Sequence, residues 1–370
     1  MADTQTLHSG MTGDKAPLLE VEGLKTYFRT NRGILKAVDG ISFTIDAGKT
    51  LGIVGESGSG KSVTVRSIMN LLPPAVTINA GGSVLHKGQS IRSLGKAQAK
   101  HFWGVEMAMI FQDPMTSLNP VMRIGRQISA GPRFHLGLSR REARQRSLEL
   151  LDVVGVPEAE RRLDEYPHQL SGGMRQRVTI AIALACQPGL LIADEPTTAL
   201  DVTVQKQILD LLGHLQEEQG MGMILITHDL GVVAGRTEEV AVMYAGRIVE
   251  FADTQTLFAD MRHPYTEALF ESIPKIEHPS HTRLRAIAGR PPDLVDPPGH
   301  CAFAARCRYA QPRCLEEAPQ LRHSDDPGHS FACYFPVGTP EGEEALAVNI
   351  ARGATSAGLL LGDYDAKVVG

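Results

Sequence analysis

The sequence contains no long run of apolar residues. The longest, residues 178–186, is interrupted by Thr179 and falls far short of the roughly 20 apolar residues that a membrane-spanning helix needs. Residues 1–16 are polar and lack the apolar stretch of a secretory signal. We therefore expect a soluble cytoplasmic protein, for which any role at a membrane is peripheral.

The sequence also lacks an excess of positive charge, an internal repeat and a heptad pattern. Lys and Arg total 37 against 42 Asp and Glu, which gives a formal net charge of −5. This balance gives no reason to expect a nucleic-acid-binding surface, because phosphate backbones select for Lys and Arg. The 370 residues, of which 42% are hydrophobic, suffice for a sizeable core and suggest two domains.

A phosphate-binding loop is the clearest motif, because residues 55–62 match the pattern GxxxxGK[ST] at every fixed position. An apolar run precedes the motif and a helix-compatible stretch, residues 63–72, follows it. The glycines allow backbone N–H groups to face phosphates at the positive end of the helix. Lys61 is expected to reach the β and γ phosphates, and Ser62 to ligate Mg²⁺. The predicted nucleotide-binding residues here are Gly55, Ser57, Gly58, Ser59, Gly60, Lys61, Ser62 and Val63.

A second segment, residues 190–195, is typical of a buried parallel strand that ends in two carboxylates. Four apolar residues in succession suit a strand covered on both faces. Asp194 at the tip is expected to hold Mg²⁺ through its hydration shell, and Glu195 to polarise the attacking water. An isolated Asp-Glu pair is more often a solvated loop, but this pair follows a complete phosphate loop and therefore indicates nucleotide hydrolysis.

Residues 170–177 resemble the signature sequence of ABC-type ATPases. Ser171 is a natural helix N-cap, and Gly172 and Gly173 remove side chains where a backbone must approach a phosphate closely. In that family the signature serves the ATP of a facing subunit, so the resemblance implies a second ABC ATPase subunit, here a paralogous chain. Gln176, which flanks the glycines, is assigned to the same nucleotide contact.

The resemblance assigns three residues to catalysis, namely Glu195, Gln112 and His228. Gln112 is expected to touch Mg²⁺ and the attacking water and to sense the membrane partner. His228 follows an apolar strand and is expected to contact the γ-phosphate. Residues 198–201 are expected to form a loop that crosses the dimer interface.

The adenine contact is assigned to an aromatic residue that precedes the phosphate loop. By resemblance, Phe28 or its neighbour Tyr27 is placed to stack on the base. Without the resemblance, an aromatic side chain in an early strand is simply a core residue.

The resemblance is closest to the ATPases of oligopeptide and dipeptide importers, a subfamily that nickel importers share. It extends from about residue 18 to about residue 335. The segments that carry it are residues 111–120, 166–170, 227–233, 243–247 and 263–266. It implies a subunit that binds and hydrolyses ATP with Mg²⁺ at the cytoplasmic face of the inner membrane. The implied partners are two transmembrane permease subunits and, indirectly, an extracytoplasmic solute-binding protein.

The expected fold is α/β, an ABC-type ATPase with a parallel-sheet core, an antiparallel β subdomain and a helical subdomain between residue 112 and about residue 180. Residues 17–255 are assigned to this domain. Residues 256–336 are assigned to a small cysteine-containing C-terminal domain of the importer type. Residues 1–16 and 337–370 show little pattern and are expected to be flexible tails.

Four of the five cysteines, Cys301, Cys307, Cys314 and Cys333, fall within a short part of that extension. Clustering in a cytoplasmic chain favours a metal or cluster site over disulfides. The spacing matches neither the usual zinc pairs nor the common ferredoxin runs, so it leaves an iron–sulfur cluster, zinc and free thiols all open. The resemblance implies a [4Fe-4S] cluster on these four cysteines, and Cys186 is expected to be a small buried residue.

Two classes of function are considered for such a chain. The first is the motor of an importer, with nickel or another small solute as an alternative to peptides. The second is a soluble ABC protein that acts on DNA or the ribosome. Such proteins carry long coiled-coil insertions or two ATPase domains in one chain, and this sequence has neither, which favours the importer.

Overall fold

The computed structural model describes residues 16–198, 200–273 and 287–361. The predicted tails at residues 1–16 and 337–370 therefore lie outside it except for Ala16 and residues 337–361. The strands are β1 (Leu19–Thr30), β2 (Gly33–Ile45), β3 (Thr50–Val54), β4 (Thr77–His86), β5 (Gln89–Ser90), β6 (Met107–Ile110), β7 (Leu190–Asp194), β8 (Gly222–Thr227), β9 (Glu239–Tyr244), β10 (Arg247–Asp253), β11 (Arg322–His323) and β12 (Ser330–Phe331).

The helices surround two sheets and are numbered in chain order. They are α1 (Lys61–Ile68), α2 (Lys96–Phe102), α3 (Pro114–Ser117), α4 (Ile124–His135), α5 (Arg140–Val153), α6 (Ala159–Arg162), α7 (Gly172–Leu184), α8 (Val202–Gln219), α9 (Leu230–Val233), α10 (Thr254–Ala259), α11 (Pro264–Glu271) and α12 (Pro340–Arg352). Within the described ranges, no helix has both the length and the apolar character needed to cross a membrane.

The larger sheet has eight strands in the order β11-β12-β10-β9-β3-β8-β7-β6. Strands β9, β3, β8, β7 and β6 run parallel, and the remaining three add antiparallel pairs at one edge. Strands β3, β7 and β8 are buried along their whole length, as their apolar sequences predict. Because parallel strands end at the same edge, the segments that follow β3, β6, β7 and β8 meet there.

The smaller sheet is antiparallel, with the strand order β2-β1-β4-β5. Its buried side chains, among them Leu19, Val21 and Phe43, share one apolar core with Ile53 of β3 and Val65 of α1. This sheet and the parallel sheet therefore hold α1 between them, together with the loop that precedes it. The predicted parallel core and antiparallel subdomain are confirmed.

Helices α3 to α7 form the predicted helical subdomain. Helix α5 begins where Ser139 and Glu142 form a reciprocal capping box, with Ser139 Oγ accepting from the Glu142 amide at 3.3 Å. One face of α5 is buried at Ala143, Ser147, Leu150 and Leu151, in the spacing of an amphipathic helix. The opposite face of α5 carries Arg140, Arg141 and Arg144, which are exposed to solvent.

The C-terminal region extends the larger sheet, because β12 pairs with β10 and β11 pairs with β12. Its side chains Phe303, Tyr309 and Ala310 share a core with Val54 of β3 and Val242 of β9. The cysteine-bearing region is thus packed directly on the strand that leads into the phosphate loop.

The expectation of a flexible tail from residue 337 is wrong for helix α12. Thr339 caps its first turn by accepting from the Gly342 amide at 3.2 Å, and Gly353 ends it in a left-handed conformation. The amide of Asn349 donates to the carbonyls of Arg308 and Ala310 at 2.8 and 3.1 Å. These start and stop signals are present in the sequence, but the Gly- and Ala-rich composition obscured them.

Candidate nucleotide-binding site and cysteine cavity

The phosphate loop connects β3 to α1, as its motif predicts. A Cβ at Gly55 would lie 2.2 Å from the carbonyl oxygen of Met243, and one at Gly60 would lie 2.5 Å from that of Ala37. Both glycines also have positive φ, at 154° and 106°. Neighbouring backbone atoms therefore exclude a side chain at both positions, and the curved conformation of the loop requires glycine there. Helix α1 ends at Ile68 rather than near residue 72, because Asn70 turns left-handed before Pro73.

Lys61 lies inside the loop, and its side chain is only 4% exposed. Its Nζ donates to the carbonyls of Gly55 at 2.7 Å and Glu56 at 3.1 Å, and lies 3.9 Å from Glu195 Oε1. Burial lowers the pKa of the Lys61 ammonium, and the carboxylates of Glu195 and Asp194 partly offset this. The cation is held where a phosphate can replace its carbonyl partners.

Ser62 and Asp194 meet although 132 positions separate them. Ser62 Oγ donates to Asp194 Oδ1 at 2.8 Å. Asp194 is fully buried, and burial raises the pKa of its carboxyl group. Among the described residues its Oδ2 has no hydrogen-bond partner, while Arg66 Nη2 lies 3.6 Å away. A buried carboxylate with an unsatisfied oxygen beside a hydroxyl is the donor set that a hard divalent cation prefers.

Three polar side chains converge on the Glu195 carboxylate. Its Oε2 accepts from Gln112 Nε2 at 2.8 Å and from Thr198 Oγ1 at 3.0 Å, and lies 3.6 Å from His228 Nδ1. Glu195 has a φ of 47°, an uncommon conformation for a residue with a side chain, and its amide donates to Ile226 at 3.1 Å. The structure thus brings Gln112, Glu195 and His228 together.

Two partners in this site were missed by the sequence analysis. Thr198 had been placed only in the loop across the dimer interface, and it also orients Glu195. Arg66 follows Ser62 by one helical turn, a spacing that places both on the same face of α1. That spacing could have predicted that Arg66 lies near the site. Nothing in the local sequence indicated that Thr198 contacts Glu195.

The signature residues lie at the exposed start of α7. Ser171 caps the helix by accepting from the Met174 amide at 3.3 Å, and both Ser171 and Gly172 are exposed. A Cβ at Gly173 would lie 2.9 Å from Val204 Cγ1 of α8, so packing as well as phosphate approach favours glycine there. The free positive end of α7 faces outward, in keeping with a ligand that another subunit brings.

The side chain of Gln176, which the resemblance assigns to the nucleotide contact, is buried in this structure, and the assignment stays a prediction. Its residue surface is 1% exposed, and neither amide atom has a hydrogen-bond partner among the described residues. Gln176 falls on the face of α7 that also buries Thr179, Ile180 and Ala183. A side chain on that face packs inside the subdomain.

Tyr27 and Phe28, the two adjacent aromatic residues of β1, make different contacts. Tyr27 donates its hydroxyl to Asp39 Oδ1 at 2.6 Å, and burial together with this bond raises the pKa of Tyr27 to about 12. Phe28 is half-buried and lies opposite Leu35 of β2. The hydroxyl of Tyr27 is therefore engaged, and the assignment of the adenine contact to Phe28 or Tyr27 stays a prediction.

The four clustered cysteines line one small cavity, together with aromatic residues that include Phe303 and Tyr309. Burial raises the pKa of every one of these thiols, to about 11 for Cys301, and the neighbouring thiols of Cys333 and Cys301 add to the effect at Cys307. In the described part of the chain, no three metal-ligating side chains lie close enough for one metal ion. Cys186 is buried elsewhere, against Gly131.

Known sequences match both parts of the chain. The ABC transporter family profile matches residues 38–198, and the profile of the oligopeptide/dipeptide transporter C-terminal region matches residues 249–314. A probable peptide ABC transporter ATP-binding protein of Sinorhizobium fredii is 50% identical over 317 residues, covering 86% of this chain and 94% of that protein. The oligopeptide transport ATP-binding protein OppD of Bacillus subtilis is 50% identical over 304 residues, covering 82% and 85%.

Solved structures share the architecture. A dimeric ATP-binding cassette in a post-hydrolysis state, bound to ADP and phosphate, is 28% identical with a TM-score of 0.57, over 64% of this chain and 98% of that one. The fold and the polar residues at its sheet edge define an ABC-type ATPase, an enzyme that hydrolyses ATP. The chain belongs to the family of ATP-binding subunits of oligopeptide/dipeptide ABC transporters.

Proposed function

We propose that this chain powers the import of di- or oligopeptides by binding and hydrolysing ATP. The observation that carries the proposal is the convergence of Ser62, Asp194, Gln112, Glu195 and His228 at one edge of the sheet. Peptides are favoured as the transported solute because the relatives that cover most of this chain are named for peptide transport.

The phosphate loop binds the β and γ phosphates of ATP. Its backbone N–H groups and the start of α1 attract the anion, and Lys61 moves from the carbonyls of Gly55 and Glu56 onto the phosphates. Ser62 and Asp194, with Gln112 near them, would hold Mg²⁺. When bound, this ion supplies charge neutralisation for the phosphate oxygens.

Glu195 is the general base of the hydrolysis. Its carboxylate accepts a proton from the water that attacks the γ-phosphate. Gln112 and Thr198 fix the orientation of this carboxylate through their hydrogen bonds. His228 is mostly exposed beside it, within reach of a γ-phosphate that enters from the solvent side. Orientation before the reaction reduces the reorganisation needed in the transition state.

A facing ATPase subunit completes each nucleotide site. The exposed Ser171 and Gly172 serve the ATP held by the phosphate loop of the paralogous partner. Next to the loop of residues 198–201, the side chain of Val202 is 83% exposed, which suits a surface that a second subunit covers.

The helical subdomain transmits closure to two permease subunits at the cytoplasmic face of the membrane. Gln112 stands at its first residues, bonded to the catalytic carboxylate, and Val121 nearby is 80% exposed. A displacement of the γ-phosphate therefore moves Gln112, and with it the exposed surface around Val121. A solute-binding protein outside the cytoplasm then supplies the peptide to the permeases.

Cys301, Cys307, Cys314 and Cys333 would hold a [4Fe-4S] cluster that crosslinks the C-terminal region. Four cysteines line one cavity with aromatic walls, and cysteine thiolates are the ligands that such clusters use. A single zinc ion fits less well, because its ligands must lie closer together than those of a four-iron group. When bound, the cluster would crosslink segments that have little regular secondary structure of their own.

The transport proposal is tested by uptake in cells that lack this chain. Wild-type protein should restore accumulation of labelled di- and oligopeptides, while Lys61→Ala should not, because it removes the phosphate-binding cation. Labelled Ni²⁺ and an unrelated amino acid are measured in the same cells. Nickel uptake without peptide uptake would assign the chain to the nickel importers, and rescue by Lys61→Ala would contradict the motor role.

A further inference from the structure

Glu56, a variable position of the phosphate-loop motif, is held by the C-terminal region. Arg306 Nη1 donates to Glu56 Oε2 at 2.6 Å, and Nη2 donates to Oε1 at 2.9 Å. The side chain of Arg306 is 3% exposed and that of Glu56 is 28% exposed, so the guanidinium of this bidentate pair is buried while the carboxylate keeps some contact with water. Buried, charge-assisted pairs of this geometry are among the stronger and more directional contacts in proteins.

The backbone of Glu56 is held as well. Its amide donates to the hydroxyl of Tyr265 at 2.7 Å, and its carbonyl accepts from Lys61 Nζ at 3.1 Å. Tyr265 is fully buried in α11 and packs against Phe303. The Glu56 carbonyl also accepts from the Ser59 amide at 3.2 Å. All the polar groups of Glu56 are therefore occupied, and two of its four partner residues, Arg306 and Tyr265, belong to the C-terminal region.

Arg306 is fixed by the turn that carries two of the cavity's cysteines. The amide of Ala304 donates to the carbonyl of Cys301 at 3.1 Å, and the amide of Cys307 donates to that of Ala304 at 3.2 Å. Arg306 Nε also donates to the carbonyl of Ala288 at 2.8 Å. A change in this turn therefore changes the direction in which the Arg306 guanidinium points.

We propose that Arg306 is a positioning residue for the phosphate loop, through which ATP affinity depends on the conformation of the cysteine-bearing turn. This rests on the proposed function, in which residues 55–62 hold the phosphates. Arg306 does not touch the nucleotide. It holds Glu56, and thereby fixes the carbonyl of Glu56 and the direction of the chain at the start of the loop.

The dependence is reciprocal by thermodynamic linkage. If the turn that carries Cys301 and Cys307 favours ATP binding, bound ATP must stabilise that turn by the same factor. Hydrogen exchange of the amides of residues 304–307 should therefore slow when ATP is added to the wild-type chain. The slowing should be absent in Arg306→Gln.

The matched control is Arg308, two residues further along. It is also largely buried and forms ion pairs, with Glu267 and Glu271, but these lie outside the phosphate loop. Arg306→Gln should raise the Kd for ATP of the full chain by about tenfold, a usual size for coupling between sites. Arg308→Gln should leave it within about twofold while lowering the melting temperature comparably. Arg306→Lys keeps the positive charge but cannot donate two parallel hydrogen bonds to the Glu56 carboxylate. Its affinity for ATP should therefore lie between those of the wild type and Arg306→Gln.

Two further measurements separate positioning from loss of fold. In the assembled transporter, Arg306→Gln should raise the KM for ATP with little change in kcat. Glu56→Gln combined with Arg306→Gln should be no worse than either single change. Equal effects of the Arg306 and Arg308 changes on Kd, or additive effects of the Glu56 and Arg306 changes, would overturn the proposal. Failure of the wild-type chain to bind ATP would instead contradict the proposed function.

Discussion

The nucleotide site and the cysteine cavity are assembled in different ways. At the nucleotide site, each polar side chain follows a strand of the parallel sheet, so the sheet's geometry alone gathers Ser62, Gln112, Asp194 and His228. At the cavity, the cysteines come from short turns with little regular structure. One site is positioned by a rigid scaffold, and the other depends on contacts between irregular segments.

The difference shows where each region obtains its stability. Strands β3, β7 and β8 are buried over their full length and need no ligand to hold their ends together. The cavity region rests on a few apolar side chains and on the docking of α12 through Asn349. We therefore expect ligand removal to leave the nucleotide site folded but to loosen the cavity region.

The largest expected effect concerns the half of the nucleotide site that another subunit provides. Lys61→Ala in this chain confines hydrolysis to the partner's phosphate loop. Adding Ser171→Arg should then lower the remaining turnover by about 100-fold, the size found when preorganised contacts to a reacting group are removed. The measurement is ATP hydrolysis by the assembled transporter.

The control inactivates the phosphate loop of the partner subunit instead of that of this chain. When the phosphate-loop lysine of the partner is removed instead, hydrolysis takes place on residues 55–62 of this chain. Ser171→Arg should then leave turnover nearly unchanged. Loss in this second complex and not in the first would contradict a signature that acts across the interface.

A smaller effect is expected from removing one thiol of the cavity. Cys307→Ser should lower the iron content of anaerobically purified protein well below about four atoms per chain and weaken the broad absorption near 400 nm. It should also lower the stability of the C-terminal region, while ATP still binds at Lys61 with reduced affinity. Metal analysis and thermal unfolding provide the two measurements.

Cys186→Ser is the matched control, because Cys186 and Cys307 are both 7% exposed. Both changes place a hydroxyl in a buried apolar position, so both should lower the melting temperature. Iron should be lost only from Cys307→Ser. Stoichiometric zinc in the wild-type protein, or no metal at all, would contradict the cluster and leave the ATPase assignment intact.

The smallest expected effect is a pH dependence that originates beside the cavity. Burial lowers the pKa of His263 from 6.5 to about 3 in the folded chain. Between these values the unfolded chain binds a proton that the folded chain does not, so stability falls as the pH decreases below 6.5. His263→Gln should flatten the fall in melting temperature between pH 6.5 and 5 by about 2 °C per pH unit.

An exposed histidine provides the comparison for this change. His168 lies on the surface of the helical subdomain, and His168→Gln should leave the slope as it is in the wild type. An unchanged slope in His263→Gln would mean that the acid sensitivity of the chain arises elsewhere. Thermal unfolding across the pH series is the measurement for both variants.

The nucleotide site could be predicted from the sequence because its motifs are contiguous and each follows a strand. The positions of Lys61, Asp194 and Glu195 followed from local pattern alone. The burial of Gln176 could not be predicted, because the local pattern does not show which face of α7 is buried. The ion pair of Glu56 and Arg306 joins positions 250 residues apart, and no local signal marks such a contact.

The C-terminal region was harder to predict for the same physical reason. The spacing of the four cysteines does not fix their geometry, and only the folded chain places them around one cavity. Helix α12 had a cap at Thr339 and a stop at Gly353, but its apolar face is narrow and composed largely of small residues. Weak periodicity of this kind makes a helix that depends on its docking site difficult to recognise.

The central claim is that Glu195 activates water in a site that binds ATP through residues 55–62. Glu195→Gln in the assembled transporter should leave the Kd for ATP within about twofold and lower hydrolysis by at least about 100-fold, as expected for loss of a general base. Glu106→Gln, an exposed residue paired with Lys87, should change neither. Hydrolysis by Glu195→Gln close to the wild-type rate would contradict the account.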